Sequence, residues 1–444
     1  MQTNFTPEQL LDPAVAQSEK ILRKCVHCGF CTATCPTYLT LGDELDSPRG
    51  RIYLIKDMLE NGRDADARTV RHIDRCLSCL ACVTTCPSGV DYMHLVDHAR
   101  AHIERTYRRP LLDRLYRALL AAVLPHPGRF RLALAGARLA KPFAGLLAGI
   151  PAAAPLSAML SLAPARLPRA TGAAASGNHA ATGVRKGRVA ILSGCAQPVL
   201  DPAINEATVE LLNRLGVEVV APPGGGCCGS LVHHMGREAQ ALDAARRNVD
   251  VWTREIDNGG LDAIIITTSG CGTTVKDYGH MLARDPAYAQ KAARVSALAR
   301  DVTEYLLTLD LPQSETGAGI RLAYHSACSM QHGQKIGNQP RRLLARAGFT
   351  VLDVPEGHLC CGSAGVYNIL QPEIAGKLKQ RKLANIARVK PDAIAAGNIG
   401  CITQIGSGAG VPIVHTVQIL NWAYGGRRPR ALAGLAAGQP LAAG

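Results

Sequence analysis

Aromatic side chains are scarce: 2 Trp, 5 Phe and 11 Tyr make up 4% of 444 residues. With few rings to stack on bases and no nucleic-acid-binding motif, the net charge of +14 is not read as a nucleic-acid footprint. No strand-linked G-x-G-x-x-G and no P-loop occur, so neither a dinucleotide nor an ATP site is expected. No acid–base constellation stands out either, which places substrate chemistry on another polypeptide. The first six residues lack a positive n-region and an apolar h-region, so export by a signal peptide is not expected. Acidic residues are absent between Asp113 and Asp201, a stretch that carries eleven Lys and Arg. Such a basic segment suits an anionic surface, either membrane lipid or an acidic partner subunit.

What is abundant is cysteine, sixteen in all. In a reducing cytosol, clustered thiols read as metal ligands or redox groups rather than as a disulfide scaffold. Eight fall into two copies of one spacing: Cys25-x2-Cys28-x2-Cys31-x3-Cys35-Pro36 and Cys76-x2-Cys79-x2-Cys82-x3-Cys86-Pro87. This resembles the bacterial ferredoxin pattern for two [4Fe–4S] clusters, in which the fourth cysteine of each run serves the other cluster. The resemblance assigns Cys25, Cys28, Cys31 and Cys86 to cluster one, and Cys76, Cys79, Cys82 and Cys35 to cluster two. It implies a carrier of single electrons. Structural zinc and disulfides are the alternatives; zinc sites usually use two separated CxxC pairs. Basic residues nearby, Lys24, Arg49, Arg51 and Arg75, either tune the clusters through charge or are solvated helix faces.

The length predicts two or three domains. Residues 1–110 read as a helical ferredoxin-like domain. Ser47-Pro48 forms an N-cap and first-turn proline; Ile52, Ile55, Met58 and Leu59 share one face, and Asn61-Gly62 supplies the stop. Residues 111–182 form a basic Ala/Leu/Pro-rich helical segment and linker, the linker itself covering 171–183. Its uncharged run 142–165 is long enough to test as a membrane span, but Pro151, Pro155 and Pro164 argue for a surface-lying or subunit-contacting segment.

The remainder is an internal duplication. Cys195, Cys227 and Cys228 recur 133 residues later as Cys328, Cys360 and Cys361 (328 − 195, 360 − 227, 361 − 228), and Cys271 recurs 130 later as Cys401. Two α/β Cys-Cys-Gly repeats are expected, 183–312 and 313–425, followed by a flexible tail at 426–444. Each repeat alternates apolar runs with helical patterns, which predicts a mostly parallel sheet. Every one of these cysteines follows the end of a predicted strand, and in open α/β sheets those ends share the edge where ligands bind. The four thiols of a repeat are therefore expected to converge. They can bind a metal or further cluster, pair as a redox disulfide, or simply be buried small hydrophobes. The Gly224-Gly225-Gly226 run is read as room for backbone approach to a metal. His325, His233, His234 and His358 lie near these cysteines, as ligands, as donors to ligands, or as ordinary hydrogen-bonded residues.

The Cys-Cys-Gly pattern resembles the cysteine-rich domain of heterodisulfide reductases and of membrane-linked 2-hydroxyacid and glycerol-phosphate dehydrogenases. In its fullest version the last cysteine belongs to a CxxC pair; here Thr274 and Gln404 occupy that place. Three stretches bring the whole chain close to one family: Ser47-Pro-Arg-Gly-Arg51, Ser269-Gly-Cys-Gly-Thr-Thr-Val275 and Gly397-Asn-Ile-Gly-Cys-Ile-Thr-Gln404. With the two ferredoxin runs they make it similar to the iron–sulfur subunits of bacterial glycolate oxidase (glycolate dehydrogenase). That resemblance implies FAD-bearing partner subunits that oxidise glycolate to glyoxylate. It also implies delivery of electrons to a quinone or other acceptor, and peripheral attachment to the inner face of the cytoplasmic membrane. A relay for lactate or glycerol 3-phosphate, or a thiol–disulfide enzyme, are the competing readings.

Overall fold

The computed structural model describes residues 1–164, 166–168 and 177–435. The regular elements of residues 1–110 are all helices, the principal ones being Pro13–Arg23, Pro48–Glu60, Ala67–Asp74 and Tyr92–Thr106, with Cys25, Cys28, Cys31, Cys76 and Cys79 in the loops between them. Their apolar faces meet in a core of Leu22, Ile55, Met58, Ile73, Leu95 and Ile103. Helix Pro48–Glu60 begins as its sequence dictates: the Ser47 hydroxyl accepts the Gly50 N–H at 3.0 Å, and Pro48 occupies the first turn, where no amide hydrogen is needed.

The repeats form two sheets. In the first, β1 (Gly177–His179), β2 (Gly187–Ile191), β3 (Val217–Ala221), β4 (Ala263–Ile266) and β5 (Ala299–Asp301) lie in the order β1-β3-β2-β4-β5. The second orders β6 (Arg321–His325), β7 (Thr350–Asp353), β8 (Ala393–Ala396) and β9 (Ile413–His415) as β7-β6-β8-β9. Apart from antiparallel β1 all pairings are parallel, and β3-β2-β4-β5 repeats as β7-β6-β8-β9. Strands such as 263–266 and 393–396 are buried at every residue, as a parallel sheet covered on both faces requires.

The two repeats share one apolar core: Leu211 and Leu212 of the first pack in the same cluster as Val417 and Leu420 of the second. Two boundaries differ from expectation. The first sheet reaches back to Gly177, inside the expected linker, because 177–179 hydrogen-bond along β3; residues 171–176 of that linker lie outside the described residues. The tail expected to be loose from 426 instead buries Leu432 in the shared core, while 436–444 lie outside the described residues.

Helices Leu111–Val123, Pro127–Ala140 and Ala154–Leu162 make up most of the basic segment. Arg109 and Arg117 anchor it, reaching Asp74 at 2.6 and 2.9 Å. Among the described residues no helix is long and apolar enough to cross a membrane.

Candidate iron–sulfur and thiol sites

The ferredoxin-type cysteines gather in two neighbouring places. Cys25, Cys28, Cys31 and Cys86 line one small cavity, together with Cys82. Cys76, Cys79, Cys82 and Cys35 are all buried. Burial pushes the Cys82 thiol well up, and the thiols of Cys79, Cys76, Cys35 and Cys31 around it add to the effect, so Cys82 sits where the two sets meet. Neutral thiols in such a crowd are poorly placed as free groups. As thiolates on iron their charge is taken up by the metal, and the donor set fits two [4Fe–4S] clusters.

The segment Ser47–Arg51 has a structural reason at each end. A side chain at Gly50 would overlap the Glu44 carbonyl, so glycine lets 44–46 lie across the helix start. Arg51 then turns inward, only 1% exposed. Its Nε donates to the His72 carbonyl at 2.7 Å and its Nη2 to Thr37 Oγ1 at 3.0 Å, while Nη1 lies 3.9 Å from Cys35 Sγ. Burial alone would raise the Cys76 thiol, but the charges of Arg51 and Arg100 hold it below its ordinary value. Of the four basic residues singled out, Arg51 is thus no solvated face. Arg49 lines the first cavity and pairs with Glu44 at 2.7 Å, Arg75 pairs with Asp46 at 2.7 Å, and Lys24 is exposed.

In the repeats, Cys195 follows β2, Cys227-Cys228 follow β3, and Cys271 lies on helix Ser269–Lys276 after β4. Cys328, Cys360-Cys361 and Cys401 follow β6, β7 and β8 in the same way. All eight line a single cavity of about 510 Å³. Its far wall comes from the basic segment, including Leu120, Phe130, Leu134, Met159 and Leu160, so it is largely apolar. The expectation of convergence within each repeat understated the outcome, because the two repeats face each other across one space.

The Cys-Cys-Gly turn has the same construction twice. Gly229 and Gly362 adopt φ of +86° and +87°, and each donates its N–H to the sulfur of the first cysteine, Cys227 or Cys360, at 3.4 Å. A methyl group would come to 3.0 Å from the Ala241 carbonyl in the first copy and 2.6 Å from that of Ala375 in the second. Only glycine satisfies both the left-handed conformation and the close approach. Hydrogen bonding from Cys195 and Cys228 holds Cys227 below an ordinary thiol, and Cys195 is correspondingly raised. In the second copy Cys328 and Cys360 sulfurs are 3.7 Å apart.

The histidines separate cleanly. His233 faces Asp97 at 3.2 Å, with His234 beside it, and the pair joins the first repeat to the helical domain. His358 is exposed. His234 also reaches the wall of the thiol-lined cavity, but among the described residues it is the ring nitrogen of His325 that groups with thiols, those of Cys361 and Cys401, within 4.8 Å. In the Gly224–Gly226 run that leads into Cys227, Gly226 donates to Asn248 Oδ1 at 3.1 Å, and Gly224 packs near Val251.

A helical module with two four-thiol sets, seated on a pair of thiol-edged parallel sheets, defines an iron–sulfur protein of the oxidoreductase complexes. Residues 21–90 match the 4Fe-4S dicluster domain family, and 189–276 and 322–406 match the Cysteine-rich domain family. The chain is 42% identical to the glycolate oxidase iron-sulfur subunit of Escherichia coli (strain K12), over 95% of this chain and 99% of that protein. It is 30% identical to the probable glycolate oxidase iron-sulfur subunit of Bacillus subtilis (strain 168), over 91% and 94% respectively. It belongs to the family of glycolate oxidase iron–sulfur subunits. Lactate utilization protein A of Geobacillus thermodenitrificans is 27% identical over 53% of this chain and 98% of its own length. A solved structure of a hypothetical protein from Helicobacter pylori shares the fold, with a TM-score of 0.54 at 11% identity, covering 95% of this chain and 74% of that one.

Proposed function

We propose that this chain is the electron-relay subunit of a flavin-dependent glycolate-oxidising complex. FAD-bearing partner subunits convert glycolate to glyoxylate, releasing two electrons and two protons; this chain takes the electrons one at a time toward a quinone or another acceptor. When bound, the two [4Fe–4S] clusters supply the one-electron carriers such a split requires. The eight ferredoxin-type cysteines hold them, in the crossed arrangement given above.

One observation carries this reading: the thiol sets form a continuous path from surface to interior. Cys28 is exposed, flanked by Val26 and Phe30 at 66% and 60% exposure, which suits a docking edge for the flavin partner. Cys82 joins that set to the buried one. Cys79 then packs in one apolar cluster with Cys360 and Cys328, at the wall of the large cavity. That cavity, apolar on one side and thiol-lined on the other, suits an apolar acceptor. Exposed Leu111, Leu115, Leu132 and Leu139, interleaved with arginines, support peripheral attachment to the inner face of the cell inner membrane.

The choice of glycolate rests on likeness along the whole chain. Lactate is the second reading, favoured by relatives that match about half of the chain. The test is anaerobic addition of glycolate, lactate or glycerol 3-phosphate to the complex of this chain with its flavin subunits, following loss of cluster absorbance. Bleaching by glycolate is expected; bleaching by lactate alone overturns the assignment.

A further inference from the structure

Two buried positions near the thiols carry a different kind of side chain in the second Cys-Cys-Gly repeat from that in the first. By the 133-residue offset of the cysteines, His325 stands where the first repeat has Leu192 (325 − 133 = 192). Along the following long helix the matched glycine contacts, Gly229 on Ala241 and Gly362 on Ala375, fix an offset of 134 (375 − 241), so Lys382 stands where the first repeat has Asn248 (382 − 134 = 248). Leucine and asparagine have become a histidine and a lysine, each 2% exposed.

Neither residue has a full set of partners in the protein around it. His325 Nε2 is buried without a hydrogen-bond partner. Lys382 donates to the Glu356 carbonyl at 2.9 Å, yet makes no ion pair with a carboxylate among the described residues. Burial disfavours its charged form and lowers it from an ordinary lysine, while the nearby thiols of Cys361, Cys360, Cys401 and Cys328 favour the charge; His325 and His358 also lie close enough to feel it. A buried cation needs an anionic counter-charge, and a buried imidazole nitrogen needs a partner. Thiolates gathered on a metal ion provide both: the ion ligates the imidazole, and surplus negative charge on the thiolate set offsets the lysine.

We propose that the second repeat binds a single divalent transition-metal ion, zinc or iron, through His325, Cys361 and Cys401, with Cys360 beside them for a fourth position. The three donor atoms lie within 4.8 Å of one another. One ion with bonds of about 2.0–2.3 Å gathers its donors within about 4.6 Å, whereas a cube spreads its thiolates over four separate irons. Sulfur together with imidazole suits zinc or iron and disfavours magnesium or calcium. His325 thereby replaces the thiol that the second repeat lacks at Gln404, and the first repeat, with Leu192, has no equivalent site. The inference is independent of which substrate the complex oxidises.

The experiment is metal and acid-labile sulfide analysis of anaerobically purified full-length protein, with Mössbauer spectra of iron-57-labelled material. The wild type is expected to carry about one metal ion beyond the eight irons and eight sulfides of two cubes. That ion appears either as one zinc or as a mononuclear iron signal. H325A is expected to lose it while retaining the cubes, and H325C to keep it, as is L192A in the first repeat. A wild type with no metal beyond two cubes overturns the proposal. So does extra iron accompanied by matching extra sulfide, which marks a third cluster. So does an H325A protein that keeps the additional ion. Should H325A not accumulate, the wild-type stoichiometry and H325C decide: an extra ion in the first and its retention in the second sustain the proposal, and its absence from either sinks it.

Discussion

The Arg51 guanidinium lies 3.9 Å from the Cys35 sulfur, on a side chain 1% exposed to solvent. A fixed buried cation beside a cluster favours the form carrying one more electron. At an effective dielectric of about 20, a unit charge roughly 6 Å away is worth about 3 kcal/mol. For a one-electron couple that is on the order of 100 mV. Arg51→Gln is therefore expected to lower the potential of one cluster by tens of millivolts up to that figure, and Arg51→Lys by much less. Redox titration followed by EPR measures both; equal potentials in wild type and Arg51→Gln would show that the charge is screened.

A second expectation concerns the glycines of the Cys-Cys-Gly turns. Gly362→Ala forces φ of +87° on a residue with a side chain and brings its methyl to 2.6 Å from the Ala375 carbonyl; at Gly229 the approach is 3.0 Å. Both substitutions destabilise, by about 1–3 kcal/mol; the obstacle in each is helix backbone that cannot turn aside, and Gly362→Ala is the worse because its approach is closer. Thermal unfolding of the two variants should rank them in that order. The reverse ranking would mean that the second helix yields more easily than its packing implies.

These two sites show what the sequence made legible. The doubled cysteine spacing, the Ser47-Pro48 helix start and the 133-residue duplication are local patterns, and each corresponds to the element it suggested. The strand-end placement of Cys195, Cys227, Cys271 and their counterparts also followed from alternation of apolar runs and helices. Arg51 was visible only as one of four basic residues, because its inward turn depends on Gly50 admitting the 44–46 segment. The facing of two repeats across one cavity was not legible at all. It is set by packing of Leu211 and Leu212 against Val417 and Leu420, residues far apart in sequence. His325 carried a signal that proximity alone did not use: set against the duplication, it is a polar residue where the first copy is apolar.

The exposed edge of the first thiol set gives a third prediction. Val26 and Phe30 project beside Cys28 without contributing to the helical core. Replacing both by Asp should leave iron content and reduction by dithionite unchanged, since no ligand is altered. Reduction by glycolate through the flavin subunits should slow by at least about tenfold, because putting charge in place of apolar surface at an interface centre costs ~1.4 kcal/mol or more. An unchanged glycolate rate would move the docking face elsewhere.

The last prediction concerns pH and the joint between the helical domain and the first repeat. His94 bridges Asp91, by a short hydrogen bond, and Asp277 across the joint at 3.0 Å. Burial on its own would lower the imidazole, but hydrogen bonding to Asp277 and Asp91, with their charges, raises it to about 10. The folded value lies above the unfolded value of about 6.5, so the charged bridge contributes its full stability below that pH. The contribution falls as pH rises from about 6.5 and is gone above about 10. The unfolding midpoint of the wild type should decline across that window, and His94→Gln should flatten the decline while lowering the midpoint near neutrality. Parallel pH profiles for the two proteins would mean that the joint is held by other groups, with the Asp97–His233 pair the first to test.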